Sequence, residues 1–516
     1  MARGGNSFLR RNEPRSAGGK RLVWMLLVIV TSFLMLSFRR LAGGSDFQPG
    51  SSRVTVENDI NKVLGLIDSK QDELIKWLSD AVRIQSVSVG EMRNNSGLDS
   101  AREFYINLAK RVGLDEIKVA GSNPGTVLAK RRGQASKSVL VYVHWDVQPA
   151  ANGQGGWDHD PFDAQVQGDR LFGRGVSDDK AAAIGWLWVL EQFNKAGVPL
   201  SVDIRIMAEG EEEIGSPQLK QVVDMESLEG GFLSGVKYMM VSDGSFVSDR
   251  PCVVQGTRGV VHFYVSVSGA SRDLHSGTFG GGVYEPLSEM SMLMTSLSDG
   301  KGTVMVEGFN EIKYPRIDRE ELKQFGLDVS AWERQAGTEK ATTRVPEALL
   351  ERVWGSPSVS VHGIRSSADF EAAAISGNAN AHFSIRIPAG MNPDEVAEAT
   401  VRHLTSKFEA FKTPNKLEIN VAQKAPGFSV QAGSQLHAAI SRAVKRARNV
   451  GPENARLGGA IPVAAFLSTA NPESEVLVLP IGGRADNAHG HESISRQDLH
   501  YGTRTFALIL DELSRL

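Results

Sequence analysis

Apolar residues recur at helical spacing from Val56 onward. Ile60, Val63, Leu64, Ile67, Leu74, Ile75, Leu78 and Val82 share one stripe, which predicts helix at the start of the folded body. A second helix is expected over residues 100–112, with Gly113 as its C-cap. Continuous apolar runs at 138–143, 202–208 and 237–241 alternate with helical segments, the pattern of a largely parallel sheet. The segment after Gly173-Arg-Gly-Val-Ser-Asp-Asp-Lys180 reads as a helix capped by Ser177 or Asp178, with its body at 181–193 and a stop at Gly197 and Pro199.

From about Val260 the texture changes. Residues 261–267 and 381–387 alternate as half-exposed strands do, with helix-like segments at 286–297 and after Pro393. The first pattern returns near Ala425 with a helix at 434–448, a turn at 456–462 and a strand at 475–479. The expected fold class is therefore α/β: a largely parallel-sheet domain with helices on both faces, in two parts (54–260 and 425–516), with an α+β domain (261–424) inserted.

The N-terminus differs again. Residues 1–21 carry Arg3, Arg10, Arg11, Arg15, Lys20 and Arg21 against one acid, Glu13, and an uncharged run from 22 to 38 ends at Arg39 and Arg40. That run is at the short end of the ~20 residues that span a bilayer. The charge bias predicts a cytosolic tail (1–21), a transmembrane signal anchor (22–38) and a Gly/Ser-rich linker (39–53), hence a single-pass membrane protein with a lumenal or extracellular body. The alternative is secretion after cleavage of a signal peptide near Leu41-Ala-Gly-Gly44. The sequon Asn94-Asn-Ser96 would suit a lumenal body.

With 516 residues the chain is long enough for two or more domains. A net charge of −3 makes no case for nucleic acid as a partner. Cys252 is the only cysteine, so an intrachain disulfide and a cysteine-based metal site are both excluded.

Three pieces carry the candidate chemistry. The first apolar run ends in His144-Trp145-Asp146, the Gly-rich turn brings Asp178, and the second run is followed by Glu209-Gly-Glu-Glu-Glu-Ile-Gly-Ser216. Imidazole and carboxylates just past strand ends suit a borderline-soft divalent metal, and they lie where open α/β sheets bind ligands. A G-x-G turn before a helix can also cradle phosphate, but without G-x-x-x-x-G-K-[ST] a nucleotide site is rejected.

Together with Ser242-Asp243 and Asp273-Leu-His275-Ser-Gly-Thr-Phe-Gly280, these stretches resemble the M20 family of co-catalytic metallopeptidases, especially its carnosinase and cytosolic non-specific dipeptidase branch. The resemblance runs from about Val54 to the C-terminus. It implies two divalent metal ions per subunit, zinc foremost and manganese accommodated by the same ligands. Asp178 would bridge, His144 and Asp243 would complete one metal, and Glu213 and His489 the other. Five ligands exceed what one open tetrahedral zinc takes and suit a two-metal centre. The resemblance further implies that Asp146 orients His144 and that Glu212 is the general base for a metal-bridging water. It makes residues 261–424 a lid that also forms a homodimer, with His275 reaching the partner's site. Arg386 would clamp a substrate carboxylate, and Gly459 would contact substrate from the turn at 458–462. Glu209 is expected to be a support residue and Glu211 a solvated neighbour.

Two departures stand out. Ala460 replaces the Ser usual in that turn, and Asn487-Ala-His489-Gly-His491-Glu492 is one residue shorter than the family spacing, so His491 remains the alternative ligand. The expected activity is hydrolysis of dipeptides or short peptides. An N-acyl amino acid hydrolase using the same site is the alternative, followed by a catalytically inactive anchored binding protein.

Overall fold

Val139, Leu140, Val141, Tyr142 and Val143 are all buried, which requires a strand covered on both faces. In the computed structural model, whose described residues are 51–516 apart from 136, 154–155, 249, 431–432 and 483–491, this is the strand Ser138–His144. It runs parallel to Asp203–Glu209 on one side and to Tyr238–Val241 on the other; Glu475–Val478 continues the parallel set beyond Tyr238–Val241. Among the described residues nine strands join this sheet, and antiparallel pairing is confined to its flanks.

Alternate residues of the central strand feed two cores. Val139, Val141 and Val143 pack with residues of the helices Gln71–Val82, Lys180–Ala196, Gln435–Arg448 and Arg496–Ser514. Leu140 and Tyr142 pack on the other face with residues of Leu219–Glu226 and Pro462–Ala470. Helices thus cover both faces, as the βα alternation predicts.

The N-terminal stripe is buried as its spacing predicts, with Ile60, Val63, Ile67, Leu74, Leu78 and Val82 in one core. It is split at Lys70 into Ser51–Ser69 and Gln71–Val82, so the last three residues of the expected linker are helical. The next helix, Asn95–Arg111, starts earlier than expected because the Asn94 side chain caps it, accepting the Gly97 N–H at 3.0 Å. Lys180–Ala196 ends at left-handed Gly197 as predicted, but its N-cap is Asp179, and neither Ser177 nor Asp178 fills that place. The Asp179 carboxylate is committed elsewhere, accepting the His144 N–H at 3.1 Å.

The insertion forms a four-stranded antiparallel sheet in the order Ser358–Ser366, Asn378–Ile387, Gly259–Ser268, Lys416–Ala425. Val261, Phe263, Val265, Ala381, Phe383 and Ile385 turn inward against the helices Pro286–Thr295 and Pro393–Ala410. Phe263 and Phe383, paired in register, stack at 4.7 Å between ring centroids. The other face carries His262, Tyr264 and His382. The charge-rich stretch after 305 folds into short helices, of which Arg319–Phe325 and Pro346–Leu350 send Leu322, Phe325 and Leu350 into the core beneath the central sheet.

The expected membrane topology is overturned. Among the described residues no helix is long and apolar enough to cross a membrane. The segment 22–38, on which the expectation of an anchor rested, lies outside the described residues.

Candidate active site

Three chain segments bring the buried polar groups together at the carboxyl ends of the parallel strands. His144 closes its strand and is wholly buried. Asp243 follows Tyr238–Val241, and Asp178 comes from the Gly-rich turn ahead of Lys180–Ala196. His144 Nε2 stands 3.1 Å from Asp178 Oδ1 and 3.8 Å from Asp243 Oδ1. One donor atom from each of the three lies within 4.8 Å of the others.

The turn is held by a carboxylate from the far end of the sequence. Glu492, fully buried, accepts the N–H groups of Gly175, Ser177 and Asp178 at 2.7, 2.8 and 3.0 Å and pairs with Arg174 at 3.0 Å. Gly175 has a φ of 79°, and a Cβ there would fall 2.4 Å from Val147 Cγ1, so glycine is needed for the turn to pass. The Asp178–Asp179 peptide is cis.

Asp146 ties His144 to the segment that carries Glu212 and Glu213. Its Oδ1 is 3.3 Å from His144 Nδ1, and its two oxygens accept the Glu212 and Glu213 N–H groups at 3.1 and 3.0 Å and the Ser88 hydroxyl at 2.6 Å. A carboxylate accepting this many bonds fixes both the imidazole and the short turn Glu212–Ile214. Glu209 accepts hydroxyl protons from Tyr142 and Ser216, a supporting place beneath the turn. Glu211 is not solvated: it is buried and paired with Arg93 at 2.7 Å. Gln148 donates to Glu213 Oε2 at 2.8 Å.

Asp178, Glu212, Glu213 and Asp243 line a cavity of ≈ 720 Å³. Its lining also includes Arg386, Gly459 and Ala460, together with His262, Tyr264 and His382 from the insertion. Arg386 belongs to Asn378–Ile387, and burial lowers its guanidinium from the usual range. Gly458 O accepts from Arg258 at 2.9 Å, which anchors the turn that presents Gly459. His275 is exposed on the two-residue strand Leu274–His275 and does not line this cavity within its own chain. His489 and His491 lie outside the described residues.

The electrostatics are those of acids crowded without enough compensating charge. Burial, then Asp178, pushes Glu213 up to about 8, and the same two causes push Asp243 up to about 6. Burial holds Glu212 well above the ordinary carboxyl range, with Asp243, Glu213 and Asp178 adding to it against the opposing His144. Burial works against a charged His144, yet hydrogen bonds to Asp146 and Asp178 hold its imidazolium well above the usual value. Such a set of oxygens with one imidazole gains from a divalent cation, which offsets the repulsion and replaces the proton, so the residues fit a zinc-type ion.

Two supports escaped the sequence reading. Asp179 and Glu492 are buried acids whose partners are backbone N–H groups distant in the chain, and no local pattern marks such a bond. His262 and His382 sat in alternating strands as ordinary outward positions.

Fold and site are of the metal-dependent hydrolase class, with an imidazole and carboxylates that could hold a metal at the ends of parallel strands. The chain belongs to peptidase family M20/M25/M40, whose model it matches over residues 140–512. It is 31% identical over 476 residues to a Beta-Ala-His dipeptidase of Homo sapiens, covering 89% of this chain and 93% of that one. It is 29% identical over 481 residues to a Cys-Gly metallodipeptidase of Saccharomyces cerevisiae, covering 89% and 99%. Among solved structures, the S. cerevisiae di-peptidase Dug1p superposes with a TM-score of 0.82 at 27% identity, over 89% of this chain and 99% of that one. Human carnosine dipeptidase 1 superposes with a TM-score of 0.81 at 29% identity, over 89% and 99%.

Proposed function

We propose that this protein is a two-metal dipeptidase that cleaves dipeptides or short peptides. The observation that carries the reading is the convergence of buried His144 with Asp178 and Asp243, the last two lining a cavity that Arg386 and Gly459 also line. Asp178 would be shared between two divalent ions, zinc foremost, with His144 and Asp243 on one and Glu213 and His489 on the other. Ions held there supply Lewis-acid chemistry, polarising the scissile carbonyl and acidifying a water.

Glu212 accepts a proton from the attacking water and gives it to the leaving amine nitrogen. Its place beside Glu213, on a turn pinned through Asp146, supports that role. Asp146 positions the His144 ring through Nδ1. Arg386 receives the substrate carboxylate with a planar two-donor fork, and the Gly459 backbone lets substrate lie close. Residues 261–424 form the lid and dimer contact, and His275, exposed in its own chain, serves the partner's oxyanion.

The test is hydrolysis of a dipeptide panel beside N-acetyl amino acids, using chelated enzyme with zinc or manganese added back. Cleavage of dipeptides with a free α-amino group, restored by metal, is expected. Activity confined to the N-acetyl substrates would move the protein to the aminoacylase class. A mixture of His275→Ala and Glu212→Gln protein should recover activity through hybrid dimers, and no recovery after demonstrated subunit exchange would remove the trans role.

A further inference from the structure

We propose that His262, His362 and His382 form a second divalent-metal site, of the zinc type, on the insertion's sheet and separate from the acidic centre. One ring nitrogen from each of the three lies within 4.8 Å of the others. His262 Nδ1 is 3.1 Å from His382 Nε2. Two ligands on a tetrahedral zinc with bonds of ~2.0–2.1 Å stand about 3.3 Å apart, so this pair already has the spacing of a shared ion.

The backbone brings the three rings together by construction. They come from three neighbouring strands, in the order Ser358–Ser366, Asn378–Ile387, Gly259–Ser268. His262 lies opposite Ser384 in the register and therefore diagonal to His382. His362 is the extra residue of a bulge: Val361 pairs with Phe383 and Gly363 with His382, which leaves His362 unpaired between them. That bulge sets the His362 ring 4.7 Å from the His382 ring, centroid to centroid. Tyr264 stacks on His382 at 4.5 Å and holds its plane, and Phe263 against Phe383 locks the reverse side of the sheet. The His362 Nε2 contact with Ser384 Oγ at 2.8 Å is the kind of outer partner that fixes a ligand imidazole's tautomer.

The chemistry of the set selects the ion. Three imidazoles without a carboxylate suit zinc and its transition-metal neighbours and do not suit magnesium or calcium, which take oxygen ligands. A three-histidine set leaves a fourth position open. His262 and His382 both line the cavity, which directs that position into it. Arg386 shares this wall, and its charge opposes a cation while favouring an anion as the fourth ligand.

The test uses the full chain, stripped by chelation and then dialysed against zinc alone, with bound metal counted by mass spectrometry. Cobalt(II) in place of zinc reports ligand type through its visible spectrum. Wild type is expected to hold one zinc more than His262→Gln/His382→Gln. It should also hold one more than His362→Gln, at an exposed position. Asp178→Asn should lose metal from the acidic centre yet keep the histidine-bound ion, which separates failure of this site from failure of the dipeptidase reading. Equal zinc content in wild type and both histidine variants, each with an unchanged circular dichroism spectrum, would overturn the proposal.

Discussion

Asp178 and His382 line the same cavity, yet different principles put them there. Asp178 leaves a turn at the carboxyl end of a parallel sheet whose strands are buried on both faces. Every group around it is pinned from behind: the turn by Glu492, His144 by Asp146, and the His144 backbone by Asp179. His382 stands mid-strand on an antiparallel sheet with one covered face, where alternation alone sends it outward. Its partners are other side chains of the same sheet, His262 and Tyr264. The first wall gains precision from long-range hydrogen bonds to backbone. The second gains it from register, so one bulge or one slipped residue would disperse it.

The largest expected effect falls on the first wall. Glu212→Gln should lower kcat by about 10²–10⁴-fold, the span of general acid–base catalysis, with metal content unchanged. Near-normal turnover of that variant would end the assignment of Glu212 as base. On the second wall, Arg386→Leu should cost about 1.5–3 kcal/mol of carboxylate recognition, seen mainly as a rise of roughly 10–100-fold in KM for dipeptides. C-terminally amidated substrates should be nearly indifferent, and equal losses for both would mean that Arg386 supports the strand instead.

Glu492→Gln asks how far the first wall depends on its remote pin. It removes the charge that Arg174 and three N–H groups share, and should cost about 1.5–3 kcal/mol in denaturant unfolding of chelated protein. A Glu492→Gln protein of wild-type stability would show that the turn is held by other contacts.

The smallest effect is one of pH. Asp243 is raised to about 6 from 3.8 and Glu213 to about 8 from 4.5. A carboxyl raised in the folded state favours folding while protonated, so its contribution is full below the unfolded value and is lost as pH rises through the folded one. Chelated protein should therefore unfold at lower denaturant near pH ~8.5 than near pH ~5, and zinc should remove the trend. A chelated protein that is stable equally at both values would mean that the acids are not crowded as described.

Much of the architecture could be read from pattern. The apolar runs at 138–143 and 202–208 differ from the alternating 261–267 because a doubly covered strand and a half-covered one obey different burial rules. Gly197 marked a helix end correctly, since only the left-handed conformation was needed there. The Asp178 turn was misread locally: a carboxylate at a helix start has capping as its usual use, and at this position a tertiary contact claimed the Asp179 side chain. Glu211, in a run of acids, had the look of a solvated residue until the fold delivered Arg93 to it.

What the sequence determined by itself is the set of elements and the residues that carry chemistry: period-2 and period-3.6 burial is local, and so are the short runs around His144, Asp178 and Glu212–Glu213. What only the tertiary structure decided is which of those groups meet. The turn at Gly175 is held by Glu492 from more than three hundred residues away, and His262 meets His382 across 120 residues. Hydrogen bonds and metal-ligand spacing depend on distances of a few ångströms in space. Separation along the chain carries no record of them.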